Sequence, residues 1–119
     1  MAAGSNRPGD AVAPCVVPLP AEIDLGNADT VGDRLAAALE SGAGVVVADL
    51  TSTTFCDTGG VRSMVKAHRQ AEAAGAELRL AVSPDGAVCR VLDIMGLTSF
   101  LRVHASVSDA LADGEVAGR

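Results

Sequence analysis

Residues 45–61 read Val45-Val46-Val47-Ala48-Asp49-Leu50-Thr51-Ser52-Thr53-Thr54-Phe55-Cys56-Asp57-Thr58-Gly59-Gly60-Val61. The first six form a short, continuously apolar, valine-rich run, the signature of a strand covered on both faces. Beyond the stretch, Val61, Met64, Val65, His68 and Ala71 recur at helical spacing, which predicts a helix over about 59–74 with Gly75 as its terminator. Between strand and helix the chain places an acid, a hydroxyl and two glycines at 57–60. A buried strand feeding a helix through a polar turn is the repeating unit of an α/β sheet, so this stretch decides the fold class.

Working outward, the same alternation continues in both directions. CVVPL from Cys15 and EIDL from Glu22 read as extended segments separated by a turn at Pro20. Pro14, Pro18 and Pro20 cannot donate to a ladder, so this part belongs at a sheet edge or contains breaks. Asn27 or Asp29 can cap a helix running to about Glu40, with Val31, Leu35 and Leu39 on its inner face, and SGAG at 41–44 ends it. After Gly75, ELRLAV at 77–82 reads as a strand, and SPDG as a turn. A helix follows over about 86–95 with Val88, Val91, Leu92 and Met95 inward and Gly96 past its end. FLRVH at 100–104 reads as a strand, and Ser106 with Asp109 starts a last helix, SVSDALAD.

The order predicts a single α/β domain: a mostly parallel or mixed sheet of about four to five strands covered by about four helices. Residues 1–13 read as a disordered lead, 14–112 as the domain and 113–119 as a frayed tail.

Composition narrows the function. The chain has 119 residues and a formal charge of −6, which argues against a nucleic-acid partner and against an anionic membrane surface. No apolar run is long enough to span a bilayer and no signal peptide is evident, so a cytoplasmic location is expected. The core must be aliphatic, since the only aromatic residues are Phe55 and Phe100. Cys15, Cys56 and Cys89 have no CxxC or Cys/His spacing, so neither a metal site nor a disulfide framework is expected.

The 54–61 turn is the first place to look for chemistry. GxxxxGK[ST] is absent and no GxGxxG opens a helix, so no nucleotide cofactor is expected. GxSxG is also missing, and Cys56, Asp57 and His68 do not read as a triad. His68 falls on an inner helical stripe as a packed structural histidine, and His104 has no obvious partner. The chain does not read as an enzyme. Thr58 stands apart: if Asp57 caps the helix, Thr58 occupies its first turn with its hydroxyl outward, beside two glycines that leave it accessible. A phosphate there would add about −1.5 to −2 charges at a helix N-terminus that tolerates them.

Four blocks in order carry a family resemblance: Ala21-Glu22-Ile23-Asp24, Asp49-Leu50, Phe55-Cys56-Asp57-Thr58-Gly59-Gly60, and Gly96-Leu97. Over about residues 14–112 the chain resembles the STAS domain, in particular the stand-alone anti-sigma factor antagonists of bacteria. The resemblance implies partner switching. The unphosphorylated antagonist binds an anti-sigma factor that is also a Ser/Thr kinase of the histidine-kinase-like ATPase fold, and so releases a sigma factor. Phosphorylation of the hydroxyl after the Asp, here Thr58, ends binding, and a PP2C-type phosphatase resets it. The kinase brings ATP and metal, so this chain needs no cofactor. The implied partner surface comprises Asp24, Asp57, Thr58, Gly59, Gly60 and Val61. Two departures stand out: Ala21 replaces the family's usual Gly, and Gly59 replaces a second hydroxyl, leaving Thr58 alone. The alternative is a non-switching STAS adaptor, scaffold or small-ligand-binding module of a regulatory or transporter complex. A third reading is thiol control through Cys56, although that residue occupies the family's hydrophobic, inward position.

Overall fold

The computed structural model describes residues 13–113. The expected disordered lead and frayed tail therefore fall almost wholly outside the described residues. The main sheet consists of β1 (Cys15–Pro18), β3 (Val45–Asp49), β5 (Glu77–Ala81) and β6 (Arg102–His104), in the order β1-β3-β5-β6. Every pairing is parallel, with Val17 opposite Ala48, Ala48 opposite Leu80, and Leu80 opposite Val103. The proline-rich β1 lies at an edge, where a missing N–H costs no ladder bond. The valine strand β3 is central and buried on both faces.

Two further strands, β2 (Glu22–Ile23) and β4 (Phe55–Cys56), form a small parallel sheet of their own. The sequence reading placed EIDL as a strand but did not find β4. A two-residue strand is too short to show a period, and only its partner reveals it. The helices are α1 (Ala28–Glu40), α2 (Thr58–Ala73), α3 (Ala87–Ile94) and α4 (Val107–Ala112). Gly75 and Gly96 both adopt positive φ, 74° and 72°. The amides that follow them close back on the preceding helices, Ala76 N–H onto Ala71 O and Leu97 N–H onto Leu92 O, at 2.8 and 2.9 Å. Both expected helix stops are thus Schellman turns.

Strand alternation divides the interior in two. Val46, Ala48, Leu78 and Leu80 face a large core shared with Val31, Leu35, Val61, Met64, Val88 and Leu92 from α1, α2 and α3. Val45, Val47 and Ala81 face the other way, against Ala110 and Val107 of α4. The last helix therefore covers the opposite side of the sheet. On that side Arg79 is buried. Its Nε donates to Glu77 Oε1 at 2.7 Å, and its Nη1 donates to the carbonyls of Ala110 and Asp113 at 2.8 and 3.2 Å. A guanidinium on β5 thus satisfies carbonyls at the C-terminal end of α4 and carries the charge that end prefers. His104, which has no partner in the sequence pattern, stands 3.3 Å from Asp113 through Nε2. Met95, expected on the inner face of the third helix, instead caps the end of α3 and is exposed.

Candidate functional site

The turn after β3 is stitched to the strand before α1. Asp49 Oδ1 accepts from the N–H and hydroxyl of Thr51 at 3.0 and 2.6 Å. Buried Thr53 donates its hydroxyl to Pro20 O at 2.8 Å. Thr54 N–H reaches Ala21 O and Asp57 N–H reaches Ile23 O, at 2.8 and 3.1 Å. These bonds run the 51–57 segment alongside 20–23, and the buried Thr53 hydroxyl finds its partner there.

That seam brings two tight turns together. In the first, Asp24 Oδ1 accepts from Gly26 N–H at 2.8 Å, and Ala28 N–H donates to Asp24 O at 2.8 Å. Of the two expected caps of α1, Asp29 lies within the first turn and Asn27 stands at the N-cap position but makes no side-chain cap. Its amide instead donates to Glu22 O at 2.8 Å, and its Oδ1 accepts from Asp24 N–H at 2.9 Å. Asn27 therefore braces the Asp24 turn. In the second turn Asp57 is extended (φ −92°, ψ −175°), and its Oδ1 accepts from Gly60 N–H at 3.1 Å, the N-cap geometry. Ser63 joins the two turns by donating to Ala28 O at 3.0 Å.

Thr58 is the first residue of α2 and is exposed. Because Asp57 supplies the cap, no capping bond occupies the Thr58 hydroxyl. Of the other residues expected at a partner surface, Asp24, Asp57 and Gly59 are half-buried, Asp57 and Gly59 flanking Thr58 in the chain, but Gly60 is buried and Val61 is only 1% exposed. Gly60 and Val61 shape the site from beneath. An ideal β-carbon on Gly60 would lie 2.6 Å from Cys56 Sγ and 2.7 Å from Ile23 Cγ2, so glycine lets the start of α2 press onto β2 and β4.

Two exposed apolar residues on this face escaped the sequence reading. Leu25 is 81% exposed in the Asp24 turn, and its side chain overlies Gly59, where a β-carbon would meet Cδ2 at 2.8 Å. Phe55 on β4 points outward while Cys56 points inward, the alternation that would have found it had β4 been recognised. Apolar flanks beside an accessible hydroxyl suit contact with another protein. Cys56 itself is buried, and burial, reinforced by the neighbouring Asp57 charge, pushes its thiol up to about 11. Such a thiol is protonated and unreactive near neutral pH, which weighs against thiol control. Among the described residues no group of His, Cys, Asp or Glu is placed to hold a metal ion, and no helix is long and apolar enough to cross a membrane.

No curated protein matches the chain by sequence. Among solved structures it is similar to a candidate anti-sigma factor antagonist from Thermotoga maritima, at 21% identity over 81% of this chain and 84% of that one, TM-score 0.66. It is also similar to the anti-sigma factor antagonist SpoIIAA in its unphosphorylated form, at 18% identity over 83% and 85%, TM-score 0.67. A sulfate transporter family protein from Wolinella succinogenes aligns over 90% and 91% at 18% identity, TM-score 0.68. At these identities the structures share the fold. The STAS domain profile matches residues 6–110, and the chain belongs to the STAS domain family.

Proposed function

We propose that the protein is an anti-sigma factor antagonist, not an enzyme, that works in the cytoplasm. Unphosphorylated, it binds an anti-sigma factor that is a Ser/Thr kinase of the histidine-kinase-like ATPase fold, and a sigma factor is released. Phosphorylation at Thr58 ends that binding, and a PP2C-type phosphatase restores it. The observation that carries this reading is the exposed Thr58 hydroxyl at the first position of α2, left free of capping by Asp57. The face around it, with Leu25 and Phe55 exposed, supports a protein partner. A phosphate there would place about two negative charges on a surface otherwise matched to that partner.

Incubation of the chain with its cognate kinase and ATP tests the reading by intact mass. One phosphate is expected on the wild type and none on Thr58→Ala. Modification of another residue, or none at all with an active kinase, defeats it.

The likeness to a sulfate transporter family protein favours one other reading, a STAS module that docks without switching. A partner that binds the chain with equal affinity before and after Thr58 phosphorylation selects that reading.

A further inference from the structure

One helix of this acidic protein is basic. Of the chain's nine Lys and Arg residues, three, Arg62, Lys66 and Arg69, lie on α2 and are exposed, while no acid occurs in α2 before Glu72. Beside this ridge runs an apolar groove of about 620 Å³, with the three cations and Gln70 on its rim. Val61, Val65 and Ala73 of α2 line it together with Met95 and Leu97, which follow α3. Met95 is 42% exposed. From Val61 to Ala73 the groove follows α2 for about 18 Å, enough for three turns of an apposed helix.

We propose that this groove is a docking site for an acidic amphipathic helix of the partner protein, its apolar face on Val65, Ala73, Met95 and Leu97 and its carboxylates against Arg62, Lys66 and Arg69. The proposal rests on the partner-binding reading above and names the chemistry the partner must present. Charge decides the occupant. An acidic segment is drawn to the three exposed cations of α2 on a chain whose formal charge is −6, and Asp29 and Asp33 of α1, which share a neighbouring pocket with Lys66, confine its carboxylates to the α3 side of the helix. A second copy of this chain would bring its own three cations to the same groove and meet like charge. The groove is continuous with the candidate switch, because Arg62 lies one helical turn beyond Thr58, at i+4. A phosphate on Thr58 therefore draws on a guanidinium that the docked helix also uses.

The test uses the full chain, ¹⁵N-labelled, titrated with a synthetic helix of about 18 residues bearing Leu at i, i+3, i+4 and i+7 and Glu elsewhere. A second peptide replaces every Glu with Lys. Saturable shifts at the amides of Val65, Arg69, Ala73 and Leu97 are expected with the acidic peptide. At least about tenfold weaker binding is expected for the basic peptide, and for the acidic peptide with the R62E/K66E/R69E variant. These positions are exposed, and an unchanged amide spectrum elsewhere confirms that the variant is folded. Equal affinity for both peptides, shifts confined to other faces, or self-association of the chain through this face overturns the proposal. Thr58 phosphorylation is scored separately in the same variant. A kinase that modifies it and binds it as tightly as wild type removes the groove while leaving the switch. Peptide binding with no Thr58 phosphorylation does the reverse.

Discussion

A β-carbon built on Gly60 stands 2.6 Å from Cys56 Sγ and 2.7 Å from Ile23 Cγ2, two buried atoms with nowhere to go. One built on Gly59 stands 2.8 Å from Cδ2 of Leu25, the free end of an exposed side chain, and 3.2 Å from Asp57 Oδ1. Gly60→Ala should therefore cost about 1–3 kcal/mol through overpacking. Gly59→Ala should be neutral or gain up to about 1 kcal/mol, because Leu25 rotates away and the helix loses a glycine. Thermal melts of the two variants separate these outcomes. Asp57→Ala removes the cap on Gly60 N–H and should cost about 1 kcal/mol in urea melts. Cys56 adds a pH dependence. Its thiol is held at about 11 against an ordinary 9.0, so below pH 9 the folded and unfolded chains are equally protonated and its contribution is fully present. Between pH 9 and about 11 the unfolded chain releases the proton first, and stability falls as pH rises. Cys56→Ala should flatten that decline.

Among the elements, the helices were the most legible, because their stripes and glycine stops are local. α2 ends one residue short of the expected 74, and Gly75 and Gly96 sit at the positive-φ positions their sequence context predicted. The edge position of β1 was likewise readable from Pro18, since proline cannot feed a second ladder. What the sequence concealed depends on contacts between distant segments. β4 exists through pairing with β2, and Asn27 was drawn from capping to bracing by Glu22 O and Asp24 N–H. The alternation of ELRLAV suggested an ordinary strand, yet Arg79 is buried because the α4 carbonyls receive it. Arg79→Met leaves Glu77, in the same buried cluster, with the Arg102 pair at 3.0 Å but without its 2.7 Å partner. It should cost about 3–5 kcal/mol, and hydrogen exchange should show α4 losing protection first.

At the scale of the molecule, the parallel sheet holds α1 to α3 on one face and α4 on the other. The β2–β4 seam brings the Asp24 turn and the start of α2 to one end. Asp57, Thr58 and Gly59 were legible as candidates because they are contiguous in sequence, and Asp24 because it belongs to another block of the family resemblance. The burial of Val61 and the exposure of Leu25 were not, since both depend on how α2 seats on the small sheet. The outcome is a scaffold that presents the Thr58 hydroxyl at the start of α2, with Leu25 overlying the neighbouring Gly59 and the exposed cations of α2 following along the helix. A phosphate at that point changes charge without requiring the fold to move. Calorimetric titration of the cognate anti-sigma kinase with unmodified and stoichiometrically Thr58-phosphorylated chain tests this most directly. The account predicts at least about a hundredfold weaker binding of the phosphorylated form, with an unchanged circular dichroism spectrum. Equal affinity of the two forms would contradict it.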